Sequence, residues 1–188
     1  MPKKNPTVDD IIKTGTVLYQ KNYMYATNGN ISVRSKKKIY ITASGLCKGE
    51  LSPRDILVTD LNGKVTGGKP SIELGMHLGI YRKRPDIHAV ILAHPFFTNL
   101  IGIQPGALNL SALPNMEGHL KDVVFLKFIR PGSQELASAI TDAVGKADIV
   151  VIHRYGTVTV GDSLSNARYK LERLEYLARF SVYKQIIF

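Results

Sequence analysis

The chain has 188 residues, 44% hydrophobic and 21% charged, with a formal net charge of +10. That length allows one domain with a real core, and the composition is that of an ordinary globular protein, far from a disordered chain. The single Cys47 excludes an internal disulfide and any all-cysteine metal site, which points to a reducing compartment, the cytoplasm.

The first residues, MPKKNPTVDD, carry no apolar run of signal-peptide type, and no apolar stretch reaches membrane-spanning length. The basic residues are scattered through SKKKI, YRKR and YKLERLEYLARF, without an aromatic-laced patch. This argues against nucleic acid as a partner. A basic surface that attracts a small phosphorylated substrate, or one that is simply solvated, accounts for the charge.

Thr7 precedes VDDIIKTGTVLYQKN, whose acidic residues in the first turn mark a capped helix. YATNGNISVR reads as a glycine/asparagine loop entering a strand, and KKKIYIT as a second strand closed by ASG. LSPRDILVTDLNGK holds a short strand before the Asn62-Gly63 turn. In SIELGMHLGIYRKR the apolar residues Ile72, Leu74, Met76, Leu78 and Ile80 predict a helix starting just after Pro70. HAVILAH is a buried strand, FFTNLIGI a short helix, and Gln104 to Gly118 a connection and rim. VVFLKF is a strand, SQELASAITDAVG a helix, and DIVVIH and GTVTVG closely following strands. Asp162 or Ser163 caps the last helix, SLSNARYKLERLEYLARFSVYKQ. The order describes one α/β domain over residues 1–188, its sheet covered by helices. No GxGxxG follows a first strand, so a dinucleotide fold is not indicated.

Three loops offer groups suited to an anion. Gly29 permits close backbone approach beside the amide of Asn30, and Ser44-Gly45 places a hydroxyl on a permissive backbone. Ser71 is expected at a helix N-terminus, where it serves as a cap or as part of an anion site. Glu73, in the first turn of that helix, is a candidate general base or a capping carboxylate. His77 lies four residues on, on the same face, where the two can share a hydrogen bond; on so apolar a helix it reads as a buried structural histidine. His94 ends a buried strand, where α/β proteins place ligand sites. Residue 92 shares its face, but is Leu92. His153 and Tyr155 bracket Arg154 and point the same way if the chain stays extended. A zinc site needs three or four converging ligands, and these residues do not supply an evident set.

Taken in order, GNIS at 29–32, ITASG at 41–45, LSPRDILVTDLNGK, KPSIELGMHLGIYRKRPDIHAV, the His94-Pro95 corner, PGSQELA and YGTVTVGDSLSNARYKLERLE resemble the class II aldolase/adducin superfamily. The likeness covers nearly the whole chain. It implies a three-layer αβα domain around a mainly antiparallel, mixed sheet. It also implies a lyase acting on a small phosphorylated sugar, in a tetramer with active sites between subunits. By the same resemblance Gly29, Asn30, Ser44, Gly45 and Ser71 cradle the phosphate, and Glu73 is the general acid/base. A second serine, frequent in the family, is Ile72 here. The family's metal pattern, His-x-His-Pro plus an Asn-His-Gly corner, meets Leu92-Ala93-His94-Pro95 and Arg154-Tyr155-Gly156. Only His94 matches. His153 is the nearest substitute ligand and His88 lies too far back, so the expected divalent ion, zinc if any, would rest on His94 and His153. A site without metal would use Glu73, His94 and Tyr155, with Arg154 close by. The other reading is a lapsed or repurposed member that binds a small anionic metabolite.

Overall fold

The computed structural model describes residues 6–104, 106, 108–113, 116, 120 and 122–187. Five α-helices and seven strands are formed by these residues: α1 Pro6–Gln20, β1 Asn30–Ser35, β2 Lys38–Thr42, β3 Ile56–Thr59, α2 Leu74–Lys83, β4 Ala89–Ala93, α3 Phe96–Ile103, β5 Val123–Leu126, α4 Gln134–Val144, β6 Ile149–Ile152, β7 Gly156–Gly161 and α5 Leu164–Ile187. The strands form one sheet in the order β3-β2-β1-β4-β7-β6-β5. All neighbours are antiparallel except β5 and β6, which run parallel across the α4 crossover. Much of the rim expected between Gln104 and Gly118 lies outside the described residues, as does His119.

The two-residue alternation of strands sorts side chains into two cores. Val90 and Leu92 of β4 face one way with Val150, Ile152, Val158 and Val160, under the apolar faces of α2 and α4. Ala89, Ile91 and Ala93 face the other way, against α1 and the start of α5. Farther along α5, Leu174 and Leu177 cover Ile149 and Val151. Helices therefore cover both faces of a mixed sheet, the expected three layers.

The second helix starts later than its apolar spacing suggests. Ala43 bridges Pro70 in antiparallel fashion and Ser44 N–H donates to Lys69 O, which holds 69–70 extended. A turn follows, with Leu74 N–H on Ser71 O and Glu73 N–H on Ser71 Oγ, and the helix begins at Leu74. Ser71 is thus not the cap, and Glu73 occupies the N-cap position rather than the first turn. Thr7, expected ahead of the first helix, lies inside it, because α1 already begins at Pro6. Ser133 Oγ accepts from Leu136 N–H ahead of α4, and Ser163 Oγ accepts from Asn166 N–H at the start of α5.

Candidate active site

The ends of β1, β2 and β4 open on one cleft of about 220 Å³, small against the roughly 300–1,000 Å³ of drug-sized ligand sites and suited to a small metabolite. Asn30, the first residue of β1, pairs in register with Leu92. Gly29 before it has φ +81°, and a Cβ there would lie 2.8 Å from Met24 Cγ and 3.0 Å from Leu92 O. Only glycine fits both the conformation and the space. Gly29, Asn30, Ser44, Gly45 and Ser71 all line the cleft, with Glu73, His94 and Tyr155 on its other walls. The three separate anion-type loops are therefore brought together by the sheet. Ile72, where a hydroxyl is missing, is 61% exposed at the rim.

Glu73 is buried, and its Oε1 accepts two hydrogen bonds of 2.8 Å, from Tyr155 OH and from Gly132 N–H. The Tyr155 phenol is pushed up well above its ordinary pKa, first by burial and then by the Glu73 charge and hydrogen bond, so it remains a proton donor. His94 is buried between two tyrosines, with ring centroids 5.8 Å from Tyr25 and 5.6 Å from Tyr155. Its Nδ1 lies 2.7 Å from Tyr155 O. A carbonyl only accepts, so Nδ1 carries the proton and the Nε2 lone pair is left available. Burial, and secondarily the Lys48 charge, hold the imidazole below its usual pKa, against the raising effect of the Tyr155 carbonyl. Close packing keeps this corner in place: a Cβ on Gly156 would come within 2.7 Å of Ala93 O and 2.9 Å of His94 Nδ1.

Two expected relations are not formed. Glu73 and His77 share no side-chain bond; the His77 ring instead reaches Ser32 Oγ and Asn30 Oδ1 in the core, as a buried structural histidine. His153 and Tyr155 do not point the same way. His153 N–H still pairs with Leu126 O, so strand alternation carries its side chain to the Val151 side. Arg154 then turns the chain at φ 56°, which brings Tyr155 back to the cleft. His153 is not among the residues lining the cleft, and the expected His94–His153 ligand pair is not assembled there.

The donor set does not fit a resident divalent ion. Among the described residues no three His, Cys, Asp or Glu side chains converge on a common point. His94 offers Nε2, but its strand neighbour Leu92 is an apolar core residue 1% exposed, and Tyr155 spends its hydroxyl on Glu73. A leucine cannot coordinate, and a phenol held far above its ordinary pKa is a poor ligand.

The sequence reading missed Lys48. It lines the cleft, 1% exposed, and its Nζ donates to Thr27 O at 2.8 Å and Leu46 O at 2.5 Å, tying two of the anion-type loops together. Burial lowers its pKa to about 8. Its position three residues beyond Ser44-Gly45 was the available signal. Gly132, which holds Glu73, was also missed; the Pro131-Gly132 turn looked only like a helix entry.

The Class II Aldolase and Adducin N-terminal domain family model matches residues 9–182. The chain belongs to this family. Among class II aldolase-family proteins, L-fuculose phosphate aldolase of Methanococcus vannielii is 33% identical over 92% of this chain and 93% of its own length. Methylthioribulose-1-phosphate dehydratase of Methylococcus capsulatus is 36% identical over 89% of each. The crystal structure of L-fuculose-1-phosphate aldolase from Thermus thermophilus superposes with a TM-score of 0.85 at 25% identity, covering 96% of this chain and 94% of that one. This family member thus has lyase-type relatives whose printed reactions differ, and the likeness does not single out a substrate.

Proposed function

We propose that this family member is a lyase acting on a small phosphorylated sugar, with aldol cleavage of an L-fuculose 1-phosphate-like ketose to dihydroxyacetone phosphate and an aldehyde as the reaction to test first. One observation carries the reading: the anion-type loops and the Glu73–Tyr155–His94 group meet in a single small cleft. In this scheme the phosphate lies against Gly29, Asn30, Ser44, Gly45 and Ser71. Glu73 takes the hydroxyl proton from the carbon that becomes the aldehyde as the carbon–carbon bond breaks, and the bonding pair moves toward the adjacent carbonyl oxygen. Lys48, the one Lys or Arg among the described residues lining the cleft, supplies positive charge there. Tyr155, poised on Glu73, delivers a proton to the resulting carbanion carbon and regains one from the protonated Glu73 through their hydrogen bond, which resets both groups. His94 Nε2 accepts a hydrogen bond from a substrate hydroxyl. A homotetramer with sites between subunits belongs to the same reading; Tyr25, 54% exposed with its ring 5.8 Å from that of His94, supports a site completed by a neighbour.

The apolar Leu92 at the cleft wall favours a second reading, a member that binds a small anionic metabolite without turnover. Purified protein incubated with L-fuculose 1-phosphate, with and without EDTA, separates the two. Dihydroxyacetone phosphate release that survives EDTA and is lost in Glu73→Gln supports the lyase. Calorimetric binding without release supports the binder. Neither binding nor release of L-fuculose 1-phosphate or another ketose phosphate defeats both.

A further inference from the structure

We propose that His77, which does not line the cleft, makes the Asn30 corner anion-selective by fixing which end of the Asn30 amide faces the ligand. The inference rests on the anion reading of the cleft given above.

An asparagine presents an oxygen that only accepts and an NH2 that only donates, in nearly the same shape. Turned one way, Asn30 offers donors to a phosphate; turned the other, it offers a carbonyl that repels one. Its one side-chain partner among the described residues is His77, with Nε2 2.6 Å from Oδ1. The other ring nitrogen, Nδ1, lies 2.6 Å from Ser32 Oγ, which lies 2.8 Å from Tyr81 OH. Ser32 and His77 are completely buried and Tyr81 is 1% exposed, so water does not enter the chain.

A neutral imidazole has one N–H, so the four groups can run in two directions. A third arrangement, with Ser32 Oγ accepting from both Tyr81 OH and His77 Nδ1–H, leaves the buried Ser32 O–H without a partner among the described residues. In the first, Tyr81 OH donates to Ser32 Oγ, Ser32 OH donates to His77 Nδ1, and His77 Nε2–H donates to Asn30 Oδ1. Asn30 Nδ2 then faces the cleft. In the reverse, Ser32 donates to Tyr81, His77 Nδ1–H donates to Ser32, and Asn30 must donate to Nε2, which turns its oxygen to the cleft. Tyr81 decides between them. Among the described residues Ser32 is the one partner of its hydroxyl, so the reverse direction strands a phenol O–H in the core. The forward direction leaves only a spare acceptor, which is tolerated far better. The Arg34 guanidinium over the Tyr81 ring, 5.1 Å from its centroid, further favours the phenol as donor. Burial keeps His77 neutral, with a pKa near 3, so the one-proton condition holds at ordinary pH. A hydroxyl one turn beyond His77 on α2 thereby sets the polarity of a cleft wall.

The test uses the whole chain and inorganic phosphate. In the native protein, 15N spectra of the imidazole identify the His77 tautomer, and titration with phosphate is followed by calorimetry and by the Asn30 side-chain NH2 resonances. The expected result is an Nε2-protonated His77 and an Asn30 NH2 shift on phosphate binding. Ser32→Ala, which touches neither Asn30 nor the cleft, frees the tautomer and weakens phosphate binding about tenfold or more, the worth of one charge-assisted hydrogen bond. Ser32→Thr keeps the hydroxyl and restores it. An Nδ1-protonated His77 in native protein that binds phosphate overturns the relay while leaving the anion site intact. Unchanged phosphate affinity in folded Ser32→Ala does the same. No phosphate binding by native protein overturns the anion reading itself.

Discussion

Acidification should unfold this protein through His77, by an amount that follows from its environment. The ring is completely buried with both nitrogens hydrogen-bonded, and its pKa falls from 6.5 to about 3 through desolvation. A depressed folded pKa means the unfolded chain binds the proton more readily. Stability is therefore full above about pH 6.5 and is lost as pH falls toward about 3. The difference of 6.5 against about 3 corresponds to about 5 kcal/mol in total at about 1.4 kcal/mol per unit. By about pH 4 some 3 kcal/mol of this is gone, a large part of a typical domain's stability. Urea denaturation of wild type and His77→Gln at stepped pH measures it. Glutamine removes the titration, so its acid limb should be flatter by about one proton, although it is less stable at neutral pH. Parallel curves for the two proteins between about pH 4 and 6.5 would refute the argument.

Other outcomes follow from the same geometry. Glu73→Gln keeps a carbonyl to accept from Gly132 N–H and Tyr155 OH, so the fold should hold while turnover of L-fuculose 1-phosphate falls by roughly 10²–10⁴, the usual worth of a proton-transfer group. Tyr155→Phe removes the proton donor held on Glu73 Oε1 and should lower turnover of L-fuculose 1-phosphate by roughly 10²-fold or more while the fold is retained, read from dihydroxyacetone phosphate release. The Leu92→His, Tyr155→His double variant places two imidazoles beside His94 and should take up stoichiometric Co2+, seen as visible d–d absorption absent from wild type. Gly156→Ala forces a methyl within 2.9 Å of His94 Nδ1 and should cost about 1–3 kcal/mol in thermal or chemical unfolding, together with most activity.

The order of helices and strands was legible in the sequence because hydrophobic periodicity and turn residues are local signals. So were the anion-type loops, Glu73 and the identity of Leu92. The start of α2 was not, since Ile72 continues the apolar spacing while a bridge from Ala43 to Pro70 holds the backbone before it extended. Long-range pairing overrode local propensity there. Likewise no spacing rule connects Lys48 to Thr27 O, Gly132 to Glu73 or Tyr81 to Ser32.

What the sequence by itself determined is the list of chemical groups, including a leucine and a tyrosine where the resembled enzymes carry metal ligands. The tertiary structure decided which groups meet. Strand alternation and the left-handed turn at Arg154 send His153 away from the cleft and Tyr155 onto Glu73. Hydrogen bonds across β1 and α2 decide which way a single amide points. Both are matters of direction in space, and direction depends on contacts between residues far apart in the chain.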